Sequence, residues 1–184
     1  MNFKHKIKLS IFTLLMISTS VATAGKGIDF LYGVGVAGFG TQDNTNILET
    51  DATLVGEFIV GFEEAGFAVE FGVANSLSSG TSNDNIDYQA AITHGTLAYR
   101  TIEKKNRYYK FKYGKMNIDW DFTGTTATAD TSGNVFGLAM GIRSAKDTRM
   151  ELEYNLYSSS DVDTTHMIVL RYIFGGTSPE TGFK

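Results

Sequence analysis

The sequence of 184 residues contains no cysteine and only one proline. Without cysteine, neither a disulfide framework nor a lipid-modified cysteine can hold the protein in place. Beyond its N-terminal region, the sequence also lacks an apolar run of the roughly 20 residues that a membrane-spanning helix needs. Aromatic residues, in contrast, make up 12% of the chain. Because disordered chains are poor in aromatic residues, we expect an ordered protein.

The first 24 residues have the pattern of a cleaved secretory signal. Lys4, Lys6 and Lys8 precede a short apolar run, and the small residues Ala22 and Ala24 follow it. A basic start, an apolar centre and small residues two positions apart are typical of a signal that is removed after export. The alternative is a retained helical anchor, for which the apolar run is too short.

Residues 25–184, which remain once the signal peptide at 1–24 is removed, are enough for one domain. The signal holds three of the 16 lysines and arginines and none of the 20 acidic residues, so the mature chain is strongly acidic. An acidic balance argues against nucleic-acid binding, which requires a basic surface.

Apolar residues alternate with polar or small residues along nearly all of the mature chain. In the clearest segment, Phe71 and Val73 oppose Glu70 and Gly72. A period of two residues predicts β-strands, and polar turn residues separate the segments. We predict eight strands, at about 28–40, 48–61, 66–75, 87–100, 107–117, 134–143, 148–158 and 165–174. The fourth is the least regular, and a shift of one residue would exchange its two faces.

The types of residue on the two faces of the strands predict whether each face meets lipid or the barrel interior. The apolar face carries phenylalanine, tyrosine and leucine, which would overfill the interior of a small barrel. The opposite face carries glycine, alanine and charges of both signs, which suits a narrow polar lumen. We therefore expect an all-β protein, an eight-stranded antiparallel up-and-down transmembrane β-barrel whose apolar residues face lipid. The alternative is a soluble lipocalin-like barrel or a two-sheet sandwich.

The connections between strands differ in length, as this kind of barrel requires. With the N-terminus in the periplasm, the external loops fall at about 41–47, 76–86, 118–133 and 159–164. Asp119 and Asp121 lie in the longest loop, and Asp161 and Asp163 lie in the last. We interpret these residues as solvated loop acids; calcium binding or bridging to lipopolysaccharide phosphates is the alternative.

Aromatic residues lie near the strand ends, where the interfacial girdles of membrane proteins are found. The predicted periplasmic girdle comprises Phe30, Tyr32, Phe67, Tyr99, Tyr109, Tyr172 and Phe174. The predicted external girdle comprises Phe39, Tyr88, Trp120, Phe122 and Tyr157.

Charged residues on the inward face form the main candidate site. They are Glu57, Glu70, Lys110, Lys112, Arg143, Arg149, Glu151, Glu153 and Arg171. Because unpaired charges are costly in a narrow interior, four acidic and five basic residues predict mutual pairing. We expect a salt-bridge network that closes the lumen. The rival interpretation is a selective ion path.

The last predicted strand carries Ile168, Leu170, Tyr172 and Phe174 on one face. Together with the signal, the strand count and the loop asymmetry, this pattern resembles the small eight-stranded bacterial outer-membrane barrels typified by the OmpA membrane domain and OmpX. The resemblance implies a place in the outer membrane of a Gram-negative bacterium, in contact with outer-membrane lipid and lipopolysaccharide. It also implies that these four residues form an assembly signal for the barrel-assembly machinery. The chain continues past Phe174, whereas many members of the family end at the aromatic residue.

The sequence offers little for catalysis. Outer-membrane lipid deacylases carry a serine and a histidine two positions apart, but Thr96 and Ile168 follow His94 and His166 at that spacing. We therefore expect no enzyme, no cofactor and no metal site. The expected function is that of a monomeric scaffold for surface loops, with a structural, adhesive or protective role. The alternatives are a narrow porin-like channel for small solutes or ions and a lipid-modifying enzyme.

Overall fold

A computed structural model describes residues 28–42, 50–82, 85–101, 103–124, 128–145, 147–159 and 164–175. These residues form one antiparallel sheet that closes on itself. The predicted signal peptide at 1–24 lies outside the described residues. Within the described part of the chain, no helix is long and apolar enough to cross a membrane.

The strands are β1 Asp29–Gln42, β2 Thr53–Glu64, β3 Phe67–Ser76, β4 Gly80–Thr81, β5 Asp87–Arg100, β6 Arg107–Phe122, β7 Thr128–Ala145, β8 Thr148–Ser159 and β9 Thr164–Gly175. The eight long strands pair in chain order, and the first pairs with the last to close the barrel. β3 pairs directly with β5, so the two-residue strand β4 is a short addition beside the start of β5. The predicted eight-stranded up-and-down barrel is confirmed.

Tight turns join the strands at one end of the barrel. Ala65 and Gly66 connect β2 to β3 with φ angles of 49° and 87°, and Lys105 and Asn106 precede β6 with φ angles of 51° and 62°. Positive φ at two consecutive central residues gives a turn whose twist matches that of the flanking strands. We call this end of the barrel the turn end and the opposite end the loop end.

The outer face carries a broad apolar surface. Its exposed large residues include Tyr32, Val34, Val36, Leu54, Phe67, Val69, Phe71, Leu97, Tyr99, Tyr109, Phe111, Tyr113, Phe136, Leu138, Met140, Ile142, Met150, Leu152, Tyr154, Ile168 and Leu170. Phe71 is 50% exposed, whereas the neighbouring Glu70 is 2% exposed. A soluble barrel or sandwich would bury the first and expose the second, so that alternative is wrong.

Aromatic residues of the predicted periplasmic girdle lie on this outer face at the turn end. Tyr32 stacks on Phe174, with ring centroids 5.0 Å apart, and Phe67 contacts Tyr99 at the same separation. Both contacts join neighbouring strands, since Tyr32 pairs with Phe174 and Phe67 pairs with Tyr99. The girdle is thus built from cross-strand aromatic pairs, which also stabilise the sheet.

The predicted loop at 118–133 is wrong. β6 extends to Phe122 and β7 begins at Thr128, and the two strands stay paired as far as Asp121 and Thr128. Ile118 and Trp120 are buried here, while Asn117 and Asp121 lie on the other side. The alternation therefore continues, but with its polar members outside. Residues typical of a solvated loop belong instead to a strand face that meets water.

Candidate functional site: the barrel interior

Glycine on one strand lets charged side chains from the two neighbouring strands meet inside the barrel. Gly35 of β1 pairs with Glu57 of β2 on one side and with Arg171 of β9 on the other. Because Gly35 has no side chain, the Arg171 guanidinium crosses β1, and its Nη2 lies 2.7 Å from Glu57 Oε2. Both side chains are fully buried. The pairing is possible because a glycine on the inward face of one strand lies between charged residues on the two neighbouring strands.

The same arrangement recurs on β7. Gly141 pairs with Tyr108 of β6 and with Glu151 of β8. The Tyr108 hydroxyl crosses over Gly141 and donates to Glu151 Oε1 over 2.7 Å. A methyl group at Gly141 would overlap the Tyr108 ring. Position 141 therefore requires glycine because the Tyr108 ring occupies the space beside it, as expected in a barrel this narrow.

At the turn end of the interior, Glu63 binds two arginines. Arg149 Nη1 lies 2.9 Å from Glu63 Oε2, and Arg100 Nε donates to Glu63 Oε1 over 2.8 Å. The two guanidinium groups also lie 5.7 and 5.0 Å from the centroid of the Tyr108 ring. In a desolvated position such cation–π contacts add to the ion pairs.

Glu103, in the connection between β5 and β6, closes this end of the interior. Its carboxylate accepts hydrogen bonds of 2.8 Å from Arg100 Nη1 and from Arg143 Nε. Burial raises the pKa of Glu103, but the hydrogen bond and charge of Arg143, with the charge of Arg100, outweigh it. The pKa of Glu103 is therefore lowered from its usual value of 4.5, and the group is a carboxylate at neutral pH.

In the middle of the interior, Lys110 lies among three carboxylates. Its Nζ is 3.1 Å from Glu70 Oε1, 2.5 Å from Glu151 Oε2 and 3.2 Å from Glu153 Oε2. One ammonium group cannot neutralise three carboxylates, and Arg171 supplies further positive charge. Its Nη1 lies 2.8 Å from Glu153 Oε2. Arg171 thereby connects the middle of the network to Glu57.

Lys112 and His94 complete the network toward the loop end. The Lys112 ammonium pairs with Glu153. His94 Nε2 lies 3.1 Å from Glu57 Oε1, and the imidazole lies directly against Gly72, where any side chain would overlap it. His94 is therefore a member of the interior network, a role that the sequence did not indicate.

The network is electrically balanced. It contains the basic residues Arg100, Lys110, Lys112, Arg143, Arg149 and Arg171 and the acidic residues Glu57, Glu63, Glu70, Glu103, Glu151 and Glu153. Sequence reasoning named nine of these twelve charged residues and missed Glu63, Arg100 and Glu103, in addition to His94. The first two continue the inward alternation of β2 and β5, so extending that period to the strand ends would have found them. Glu103 lies in a turn, where no period applies.

Toward the loop end the interior changes from charged to apolar. The residues that fill it, which we call the apolar cap, are Ala37, Phe39, Val55, Ala74, Tyr88, Ala90, Ile92, Met116, Ile118, Trp120, Val135, Tyr157, Met167 and Val169. The Trp120 ring lies at its centre, 5.5 Å from the rings of both Phe39 and Tyr88. The Tyr157 hydroxyl lies 3.8 Å from Met167 Sδ. Large aromatic side chains thus close the loop end of the lumen.

The predicted external aromatic girdle is therefore wrong. Phe39, Tyr88, Trp120 and Tyr157 point inward and are at most 1% exposed, and Phe122 is partly buried against the apolar cap. The error has a physical cause. The prediction assumed that apolar residues face outward along the whole strand, whereas at the loop end they face inward.

The outer face also changes polarity toward the loop end. Tyr113 of β6 pairs with Phe136 of β7, and both are exposed apolar residues. Two residues further toward the loop end, the outward pair is Lys115 with Asn134. The turn-end segment is thus apolar outside and charged inside, as in a membrane barrel. On β6 and β7, the loop-end segment is polar outside and apolar inside, as in a protein surrounded by water.

Of the remaining residues singled out in the sequence, Asp161 and Asp163 fall outside the described part of the chain, and the others lie on the outer surface. Ile168 and Leu170 of β9 are about half exposed, and the rings of Tyr172 and Phe174 contact each other at 4.9 Å. Their role in assembly stays a prediction.

His166 Nδ1 lies 2.7 Å from the Tyr154 hydroxyl. Among the described residues, no group of three histidine, cysteine or acidic side chains could hold a metal ion.

No protein-family model and no curated protein matches this sequence. Solved structures do match. The Ail attachment invasion locus protein of Yersinia pestis, in complex with the heparin analogue sucrose octasulfate, has a TM-score of 0.62 at 11% identity, covering 82% of this chain and 99% of that chain. Neisserial surface protein A has a TM-score of 0.60 at 8% identity, covering 80% and 96%.

The outer membrane protein OprG from Pseudomonas aeruginosa has a TM-score of 0.57 at 9% identity, and the match covers 82% of this chain and 96% of that chain. Such low identities show the fold and no more. The resemblance that the sequence predicted is confirmed at that level: the chain has the fold of the small outer-membrane β-barrels.

Proposed function

We propose that the protein spans the outer membrane with its turn-end segment. The apolar outer surface supports this proposal, since Phe71, Leu138 and Leu152 are 50%, 42% and 52% exposed. In water, this surface would be a contiguous apolar patch of a size that soluble monomers rarely carry. In a bilayer, the same surface meets acyl chains, while the closed sheet pairs the backbone groups of its strands.

We further propose that the lumen is closed and that the barrel acts as a scaffold for its loop-end segment. The interior is the observation that carries this function, because the charged network and the apolar cap lie in series. An ion would first have to displace buried pairs, in which a charge left without its partner is strongly unfavourable. It would then have to pass Trp120 and Tyr157 without water. Since the closed sheet leaves no long free edge, we propose a monomer.

Planar-bilayer conductance tests the closed lumen. We expect the refolded protein to insert without stable openings. A variant that combines Trp120→Ala with Arg171→Ala weakens both barriers and is expected to leak. Ser132→Ala, on the outer face of β7, is the matched control and should stay closed. Stable openings of the unmodified protein would instead favour the narrow channel.

The loop-end segment is acidic. Asp51, Asp87, Asp119, Asp121 and Asp130 are its described acidic residues. In the sequence, half of the 20 acidic residues of the chain fall in the stretches that contain this end of the strands: Asp43, Glu49, Asp51, Asp84, Asp87, Asp119, Asp121, Asp130, Asp161 and Asp163. Lys115 is the one lysine or arginine in the corresponding stretches of sequence, 37–55, 74–93, 114–136 and 157–169. Such a surface repels polyanions. We therefore propose that this scaffold does not bind heparin-like sugars, unlike the Ail structure with its heparin analogue.

Retention on immobilised heparin at low ionic strength tests this charge argument. We expect the protein to pass through unretained. A variant with Asp119→Lys, Asp121→Lys and Asp130→Lys reverses the charge of the β6–β7 hairpin and should be retained. If the unmodified protein binds as strongly as this variant, the acidic surface does not determine the choice of ligand.

A further inference from the structure

A groove on the outer face of the barrel lies between β3, β5 and β6. It has a volume of about 340 Å³. Its walls are formed by Val69, Phe71, Leu97 and Tyr113, and Gly95 and Lys115 also line it. Three of the wall residues, Phe71, Leu97 and Tyr113, are 50%, 68% and 58% exposed, so the groove offers an open apolar surface.

Gly95 creates the groove. It belongs to the outward face of β5, since the side chains of its neighbours His94 and Thr96 are buried inside. A methyl group at Gly95 would lie 3.4 Å from the Phe71 ring, which is an ordinary contact distance. The position therefore has room for a side chain that the sequence does not supply, and the outer wall is indented there.

Lys115 lies directly beside this indentation. It pairs with Gly95 across the β5–β6 ladder, and its side chain is exposed on the same face. It forms no salt bridge with any carboxylate of the described residues. On β6 it is the first polar outward residue after Tyr113, so it marks the change from the apolar to the polar outer surface. An ammonium group with no carboxylate partner in the described part of the chain thus lies at the top of an apolar groove.

We propose that this groove binds one molecule of lipid A, with an acyl chain along Gly95 and a phosphate group on Lys115. The inference rests on the proposed placement in the outer membrane, because that placement puts the groove at the interface of the outer leaflet. An acyl chain matches walls of Phe71 and Leu97, and a phosphate matches a lysine at the interface, where long basic side chains extend toward lipid headgroups. Lys115 is also the one lysine or arginine in the sequence stretches 37–55, 74–93, 114–136 and 157–169, so it is where an anionic headgroup would be attracted.

Native mass spectrometry of the refolded barrel in detergent tests the site with hexa-acylated, bis-phosphorylated lipid A as the probe. Lys115→Gln removes the charge and Gly95→Leu fills the groove. Lys115→Arg and Gly95→Ala are the matched controls, since they keep the charge and the open groove. Two further probes separate the possible sources of the phosphate and the acyl chain. They are lipid A without phosphates and the phospholipid phosphatidylglycerol.

We expect the unmodified protein and both control variants to retain lipid A. Lys115→Gln should weaken retention about fivefold, the factor for losing one lysine near an anionic lipid surface. Gly95→Leu should weaken it at least as much, and the dephosphorylated lipid should bind like the Lys115→Gln variant. The proposal would be overturned if all variants bound lipid A equally. It would also be overturned if the unmodified protein bound phosphatidylglycerol as strongly as lipid A.

The mobility of each unboiled sample on gels shows whether it is a folded barrel. Lys115→Gln changes an exposed side chain, so the test does not depend on the folding of Gly95→Leu. If the unmodified protein shows no difference between boiled and unboiled samples, the proposed membrane placement fails, and the lipid site fails with it. If it folds but does not prefer lipid A, only the lipid site fails.

Discussion

Arg171 of β9 and Glu57 of β2, which both pair with Gly35 of β1, form an ion pair across β1 with 2.7 Å between Nη2 and Oε2. The pair spans the seam at which the first and last strands of the barrel meet. Arg171 also binds Glu153 of β8, so one guanidinium connects strands on both sides of the closure. One side chain thus takes part both in the seam of the barrel and in the neutralisation of its interior.

A double-mutant cycle measures the energetic coupling between Glu57 and Arg171. We expect Glu57→Gln and Arg171→Met to destabilise the barrel singly and to couple by about 0.5–3 kcal/mol, since the two groups share one buried network. The measurement is urea-induced unfolding in lipid vesicles, followed by the fluorescence of Trp120, the single tryptophan of the chain.

The control cycle uses a polar pair on the water-facing side of the same barrel. The Ser132 hydroxyl donates to Asn117 Oδ1 over 2.6 Å, and the contact is exposed. Ser132→Ala and Asn117→Ala should therefore couple by only a few tenths of a kcal/mol. A coupling for Glu57 and Arg171 as small as this control would mean that the seam pair does not stabilise closure.

Glycines on the inward face should tolerate no side chain where a large neighbour lies over them. Gly141→Ala places a methyl group against the Tyr108 ring, and such overpacking costs about 1–3 kcal/mol. Gly38→Ala is the matched control on β1, because a methyl group there would meet no atom within 4 Å. Unfolding free energies in vesicles compare the two. Equal stability of the two variants would contradict the proposed role of Gly141.

Glu103 should make the turn end sensitive to acid. Its pKa in the folded protein is lowered from 4.5 by Arg143 and Arg100, despite the opposing effect of burial. The stability from this group is therefore present above pH 4.5 and is lost as the pH falls through the lower folded pKa. We expect Glu103→Gln to be less stable than the unmodified protein at neutral pH, and the difference to shrink on acidification.

Urea midpoints measured at a series of pH values test this expectation. Other carboxylates of the interior titrate in both proteins, so the difference between the two curves reports on Glu103. A difference that stays constant, or grows as the pH falls, would show that Glu103 is not held as a carboxylate by its arginines.

The strands could be predicted from the sequence because lipid imposes a strict period of two on the turn-end segment. Phe67, Val69, Phe71 and Val73 show this pattern without interruption, and the structure begins β3 at Phe67. The loop-end segment was misread because water reverses the pattern there. Trp120 between Asp119 and Asp121 has the same alternation as a lipid-facing strand, but its apolar member points inward. Periodicity alone gives the faces of a strand and not the solvent that each face meets.

The charges of the interior could be named from the alternation, but their partners could not. Glu57 and Arg171 are 114 positions apart in the sequence, and only the closure of the barrel places them on either side of Gly35. Pairing across an intervening strand also requires a small residue on that strand, such as Gly35 between Glu57 and Arg171 or Ala139 between Lys110 and Glu153. The glycines opposite charged residues were therefore a usable signal, visible in the sequence but interpretable only with the strand register.

Labelling of single cysteines in intact outer membranes tests the central claim most directly, because the native chain has no cysteine to interfere. Ser132→Cys and Leu138→Cys place a thiol on the same outward face of β7, on either side of the proposed membrane boundary. We predict that a water-soluble maleimide labels the first and leaves the second unlabelled until detergent is added. Labelling of Leu138→Cys as readily as Ser132→Cys, without detergent, would contradict a lipid-facing outer wall.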